Sequence, residues 1–428
     1  MRIAMFTNTY LPHVGGVARS VKTLEDACRK LGHEVKVIAP QFDGAEESPD
    51  VLRMPAIQNF NGSDFCVQLP MPLVIRDFIE DFAPDIIHTH HPFLLGDSAL
   101  RESWKMQVPI IFTHHTLYER YTHYVPLDSP ALKRIAIQLA TEYCNLCDRV
   151  IAPSESIAKL LRDREVTVPI TCIPTGIDVA AFSSGDGTAF RKAAGIPEKA
   201  RVIGHVGRLA KEKNLIFVAE AVAPRLKADP EAVFLLVGDG DAREEMTAIL
   251  TAAAGKERVF AVGKKSGKEL TDAYAAMDFF VFASQSETQG IVLAEAMAAG
   301  NPVVALDGPG VREILKDGFN GLLLPADAST RDYTAALERL MTDEAFSNSC
   351  IQNARASAAE YETARCTERM IHAYQETIAR HNRLLDEDPM PWDRFIAGVG
   401  VEWELLSAKV SAAAAAVIVT PATEASLD

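Results

Sequence analysis

The chain has 428 residues, enough for two or three domains. It is 48% hydrophobic and 24% charged, as a folded globular protein is, which excludes global disorder, collagen-like and coiled-coil classes. The net charge is −15, split as −5 over residues 1–183 and −10 over 184–428, so neither half has the basic excess of a nucleic-acid binder.

Residues 2–6 read as a strand from the start, with no apolar h-region or cleavage site, and the expected location is cytoplasmic. The longest late apolar run, 412–419, is far short of a bilayer span. A glycine pair, Gly15-Gly16, and a helix over 18–31 follow the first strand. Strands are then predicted over 34–39, 85–88, 110–113 and 150–152. Cys144-x-x-Cys147 falls in a helical pattern without a second close pair, so it reads as helix packing rather than a redox or zinc site. Seven cysteines, an odd number, do not suggest a disulfide framework. The segment 174–197 holds four glycines and reads as a loop between domains. The alternation then restarts with strands over 201–206, 232–237, 259–262, 279–283 and 302–305. Helices are predicted over 214–228, 241–253, 269–277 and 291–299. Alternation of this kind argues for parallel sheets covered by helices. The expected domains are 1–183, 184–362, a helix over 363–385 crossing back to the first domain, and a tail over 386–428.

The motifs follow predicted strands, at the end where open parallel sheets bind ligands. Gly15-Gly16 lets backbone amides approach an anion at a helix start, and fits either a phosphate site or an ordinary turn. No Gly-x-Gly-x-x-Gly turn occurs there, which disfavours a dinucleotide dehydrogenase. After the strand 201–206, Arg208 as a planar fork and Lys213 as a point charge can converge on one anion. A diphosphate leaving group needs such cations, because negative charge grows on it as its bond breaks. Glu287 falls in the loop after 279–283 and Glu295 two turns into the next helix. Ionised carboxylates only accept hydrogen bonds, so both suit a hydroxyl-rich ligand. Gln289-Gly290-Ile291 between them can present consecutive amides at a helix start.

The run 286–304, with its loop and helical glutamates followed by Ala-x-x-x-Gly-x-Pro-Val, resembles the retaining glycosyltransferases of family four. The resemblance covers residues 1–380. It takes in the glycine pair, the Arg208/Lys213 loop and Val237-Gly238-Asp239-Gly240. It implies an α/β chain of the GT-B fold, with two doubly wound, Rossmann-like parallel-sheet domains facing a central cleft. It also implies roles. Glu287 and the amides of Gln289, Gly290 and Ile291 hold the donor sugar, and Glu295 binds the ribose. Arg208 and Lys213 bind the diphosphate, Gly16 closes over the same phosphates, and Val262 and Gly263 lie near the base. The departing phosphate takes the acceptor proton, and the anomeric configuration is kept. No Asp-x-Asp motif stands at a suitable strand end, so neither a metal nor another cofactor is expected. Gln289 departs from the commonest pattern, in which an aromatic residue is frequent, and this bears on the identity of the sugar.

Eight of the eleven histidines lie in the first 123 residues, which points to an active face on the N-terminal domain. A metal cluster is disfavoured, since no carboxylate pattern accompanies them. His115 matches the position at which the family sets a histidine against donor sugar and phosphate, so it joins Arg208, Lys213 and Glu287 as a catalytic candidate. The string His115-Thr116-Leu117-Tyr118-Glu119-x-Tyr121-x-His123-Tyr124 is similar to bacterial enzymes that glucosylate diacylglycerol. It implies transfer of glucose from UDP-glucose to a lipid of that type, with His115, Tyr118, Tyr121 and Tyr124 at the acceptor. A helix over 131–147, carrying Lys133 and Arg134, suits a peripheral contact with the inner membrane face better than the acid-rich 69–82. The alternatives are a phospholipid, glycolipid or soluble-sugar acceptor, a nucleotide-sugar epimerase, or a non-catalytic nucleotide-sugar-binding protein.

Overall fold

The structure, a computed structural model, describes residues 1–13, 15–57, 67–68, 71–120 and 129–387. The chain forms two compact units. One is Met1–Pro174 with the residues from Cys366 on, and the other is Thr175–Arg365. The first break therefore falls earlier than the expected 183/184.

In the first unit the strands are β1 (Arg2–Phe6), β2 (Glu34–Pro40), β3 (Val51–Met54), β4 (Ala56–Ile57), β5 (Val67–Gln68), β6 (Ile86–Thr89), β7 (Ile110–Thr113), β8 (Arg149–Ala152) and β9 (Ile170–Cys172). β4 and β5 form a small antiparallel pair, and the other seven form a sheet in the order β3-β2-β1-β6-β7-β8-β9. Every pairing in that sheet is parallel. β1, β6 and β7 are short apolar runs buried along almost their whole length, as sheets covered on both faces require. The edge strands β3 and β9 are only half-buried and carry no continuous apolar run, so hydrophobic pattern does not announce them. Alternate residues of β1 face opposite cores. Ala4 and Phe6 pack with Ile87 and Phe112, while Ile3 and Met5 pack with Ile86, Ile111 and Ile151. Met370, Ala373 and Tyr374 of the final helix, Thr363–Glu387, belong to the second of those cores.

The second unit holds β10 (Arg201–Val206), β11 (Ala232–Val237), β12 (Val259–Gly263), β13 (Phe279–Phe282), β14 (Val303–Leu306) and β15 (Gly321–Leu324), in the order β12-β11-β10-β13-β14-β15. All pairings are again parallel. The expected loop over 174–197 instead contains two short helices, Val179–Ser183 and Gly187–Ala194, with Asp178 and Asp186 accepting from their first-turn amides. Two of the glycines that suggested a loop are packing residues. A Cβ on Gly185 would strike the carbonyl of Thr271, and one on Gly187 the carbonyl of Ala275, on the helix Gly267–Ala275.

Candidate active site

In each sheet the strand order reverses once, between β1 and β6 and between β10 and β13. Loops leaving the carboxyl ends of the strands at such a point splay apart and leave a crevice for ligands. The candidate residues lie at or near these two places, one set in each unit.

In the second unit, β10 leads to Arg208 and Lys213, and β13 leads to Glu287. The Lys213 ammonium donates to Glu287 Oε1 at 2.6 Å, and both side chains are largely buried. Burial opposes ionisation of Glu287, but the Lys213 charge and hydrogen bond, with help from Ser284, hold its carboxyl below the usual value. Arg208 pairs with Glu212, one turn along the same loop. Ser286 Oγ donates to the Glu212 carbonyl at 3.3 Å and ties the two loops together. Beneath them, His205 donates from Nδ1 to the Val281 carbonyl at 3.0 Å, and burial lowers its pKa to about 4. The backbone here is tightly stacked. Gly238, at φ 136°, leaves no room for a Cβ against the carbonyl of Gly207, so the segment after β11 lies directly on the Arg208 loop.

Gly290 caps the helix Ile291–Ala299 in the left-handed conformation and, being glycine, contributes no side-chain cap. A helix start of this kind is chemically suited to an anion or a hydroxyl. The Gln289 side chain points elsewhere. Its amide accepts from the backbone N–H of Thr175 and donates to the Thr175 carbonyl, both at 2.8 Å, and the residue is 7% exposed. Glu295 is 1% exposed and accepts from the Tyr274 hydroxyl at 2.7 Å. Val262 is half-buried against the core, while the face of Gly263 is open. The structure thus joins Lys213 to Glu287 and Arg208 to Glu212, and it gives Gln289 and Glu295 protein partners of their own.

In the first unit, Gly16 opens the helix Gly16–Lys30, with Gly15 extended before it, no side-chain cap, and open space where a Gly16 Cβ would lie. β6 and β7 deliver the histidines. Buried His88 bonds through Nδ1 to the Tyr374 hydroxyl and through Nε2 to Thr113 Oγ1, both at 2.6 Å. His91 accepts at Nδ1 from the Asn8 backbone N–H at 3.0 Å, so its proton sits on Nε2. His90 Nδ1 and His115 Nε2 are 3.0 Å apart. Burial lowers the pKa of His88 and His91 to about 3 and of His114 to about 4. It drives His90 and His115 well below the usual value, with neighbouring imidazoles adding to the effect. The cluster is therefore neutral at physiological pH. Tyr118 packs edge-on against Phe93 and His114. Tyr121, His123 and Tyr124 lie outside the described residues. Cys144 and Cys147 are buried, with burial pushing the Cys144 thiol up to about 12, as helix packing predicts. No helix among the described residues is long and apolar enough to cross a membrane.

Sequence reasoning passed over His205 and Tyr274, and gave His90 no role beyond its place among the N-terminal histidines. The available signal for His205 was a polar residue inside an otherwise apolar buried strand, and nothing local marked Tyr274.

Residues 14–181 match the family model "Glycosyltransferase Family 4", and residues 186–357 match "Glycosyl transferases group 1". The chain belongs to the family-four glycosyltransferases. Alpha-monoglucosyldiacylglycerol synthase of Streptococcus pneumoniae is 31% identical over 330 residues, which is 76% of this chain and 75% of that protein. A GDP-mannose-dependent alpha-mannosyltransferase of Corynebacterium glutamicum is 28% identical over 395 residues, 90% of this chain and 91% of that protein. Among solved structures, sucrose-phosphate synthase of Thermosynechococcus elongatus has a TM-score of 0.72 at 21% identity, covering 89% of this chain and 99% of that one. Anabaena HepE in complex with UDP-glucose has a TM-score of 0.69 at 19% identity, covering 88% and 100%. With its two parallel-sheet α/β units the fold is GT-B, and the protein is a glycosyltransferase.

Proposed function

We propose that this enzyme moves glucose from UDP-glucose to the hydroxyl of a diacylglycerol-type lipid, with retention and without a metal ion. One observation carries the reading: Arg208, Lys213, Glu287 and the Gly290 helix start gather where the second sheet reverses its strand order. Fixed cations beside a hydroxyl-accepting carboxylate suit a sugar diphosphate. The relatives that act on diacylglycerol support the lipid, and the UDP-glucose bound by HepE supports the donor.

In this scheme Arg208 and Lys213 meet the charge that grows on the departing UDP. An ammonium has three donors, so Lys213 can serve Glu287 and a phosphate oxygen together. Glu287 and the amides of 289–291 hold the sugar hydroxyls, Glu295 the ribose, and Val262 and Gly263 border the base. Gly16 serves the phosphates through the start of its helix, and His115 orients the sugar. The bond from the anomeric carbon to the phosphate oxygen breaks with its electron pair going to the phosphate. The acceptor oxygen bonds on the same face and passes its proton to that phosphate. Tyr118, Tyr121 and Tyr124 line the acceptor, and the helix Pro130–Asn145 with Lys133 and Arg134 rests on the inner membrane face.

Purified protein incubated with UDP-glucose and dioleoylglycerol yields a monoglucosyl lipid with an α-anomeric proton signal, and EDTA leaves the rate unchanged. No lipid product, a β-linked product, or a loss with EDTA that Mg²⁺ restores would each overturn the corresponding part. The mannosyltransferase relatives favour a second reading, mannose from GDP-mannose, which the same assay detects as a mannosyl product.

A further inference from the structure

The loop over 284–290 carries Glu287 from the end of β13 to the helix Ile291–Ala299, and its surroundings hold it from several sides. Ser286 Oγ ties the start of the loop to the Glu212 carbonyl, and Gln285 Nε2 donates to the Ala326 carbonyl at 2.7 Å. At the far end the contact is backbone on backbone. A Cβ on Gly310 would lie 2.6 Å from the Gln289 nitrogen, so the segment before the short helix Val311–Ile314 rests directly on Gln289. Gly290 and Gly310 both stand at φ 74°, a conformation that suits glycine.

On its other side the loop is held by one side chain. The Gln289 amide accepts from the Thr175 N–H and donates to the Thr175 carbonyl, both at 2.8 Å. A primary amide meets both needs at once, whereas an ionised carboxylate only accepts and an ammonium or guanidinium only donates. Thr175 is a firm anchor, because the residues after it pair with a second segment. The Ile177 N–H donates to the Tyr361 carbonyl at 2.7 Å, and the Thr363 N–H donates to the Ile177 carbonyl at 3.0 Å. A Cβ on Gly176 would lie 2.5 Å from the Thr363 Cα. These are the stretches by which the chain enters the second unit, at Thr175, and leaves it, at Arg365.

We propose that Gln289 is a positioning residue: by clamping the Thr175 backbone, its side chain holds the Glu287 loop and the Gly290 helix start in register for the hexose of the donor. This rests on the proposed contact of Glu287 and the 289–291 amides with that hexose. Arg208 and Lys213, which serve the diphosphate in the same scheme, stand on the other loop. The hexose and diphosphate parts of the donor therefore depend on Gln289 to different degrees.

The test uses the full-length enzyme. Gln289→Met keeps the length of the side chain and removes both bonds. By calorimetry its Kd for UDP-glucose rises about tenfold, while its Kd for UDP changes by less than about twofold. With dioleoylglycerol as acceptor, kcat falls about 10- to 100-fold. A purely structural role would weaken both ligands equally or leave both unchanged, and either result overturns the proposal. Hydrogen exchange reads the clamp directly. In the wild-type enzyme the Thr175 amide is protected, and free exchange there overturns the proposal without any variant having to fold. In Gln289→Met, exchange accelerates at Thr175 and across 286–292 together; acceleration at Thr175 alone overturns the positioning role. Normal affinity for both ligands in Glu287→Ala sinks the hexose reading instead, and the exchange result still decides whether Gln289 holds the loop.

Discussion

The candidate residues of the first unit and those of the second use opposite electrostatic means. Around β6 and β7 the protein gathers five imidazoles, His88, His90, His91, His114 and His115, and keeps them neutral by burial. Around β10 and β13 it uses permanent charges held in pairs, Lys213 with Glu287 and Arg208 with Glu212. A neutral ring can be aimed precisely by hydrogen bonds but does little for a developing charge. A paired cation is ready for such charge and must be kept from collapsing onto its own carboxylate. In the proposed scheme, orientation falls to the first group and charge stabilisation to the second.

The largest test of that division is Lys213→Ala. If this cation meets charge formed in the transition state, kcat falls about 10²- to 10³-fold with a smaller change in donor KM. A pure KM effect would place the residue in ground-state binding instead. Next comes pH. Each buried imidazole has a folded-state pKa below its unfolded value of 6.5, about 3 for His88, so the unfolded chain binds more protons in acid. Stability is therefore full above pH 6.5 and is lost as pH falls, by about 2 kcal/mol per imidazole at pH 5. Urea unfolding at pH 7 and pH 5 measures this, and a flat profile would mean that the cluster is hydrated and not neutral by burial. Glu295→Ala is expected to weaken UDP-glucose binding by calorimetry about tenfold, the scale of one lost hydrogen bond to a charged group, with kcat less affected. Gln289→Leu, of similar size, removes the two hydrogen bonds between the side-chain amide and the Thr175 backbone and costs about 1–3 kcal/mol in the same unfolding assay. Normal stability there would show that water replaces the amide.

Much of this could be read from the residues. β13, the helix Ile291–Ala299 and the two loops after β10 and β13 were visible because parallel sheets demand apolar runs and helix ends demand glycine. Pairings across distant segments were not. Gln289 meets Thr175 across 114 positions, and Tyr274 reaches Glu295 from another helix. Neither follows from local periodicity, because the partner is set only once the sheets have formed. For Gln289 this changes the argument: the side chain that bore on sugar identity is engaged with the chain's own backbone.

The final helix carries one further consequence. Met370, Ala373 and Tyr374 complete a core of the first unit, and Tyr374 anchors His88. A ribosome finishes the whole of the second unit before these side chains emerge. The N-terminal sheet therefore waits, one layer incomplete, for the last stretch of translation, and its imidazole cluster gains its anchor only then.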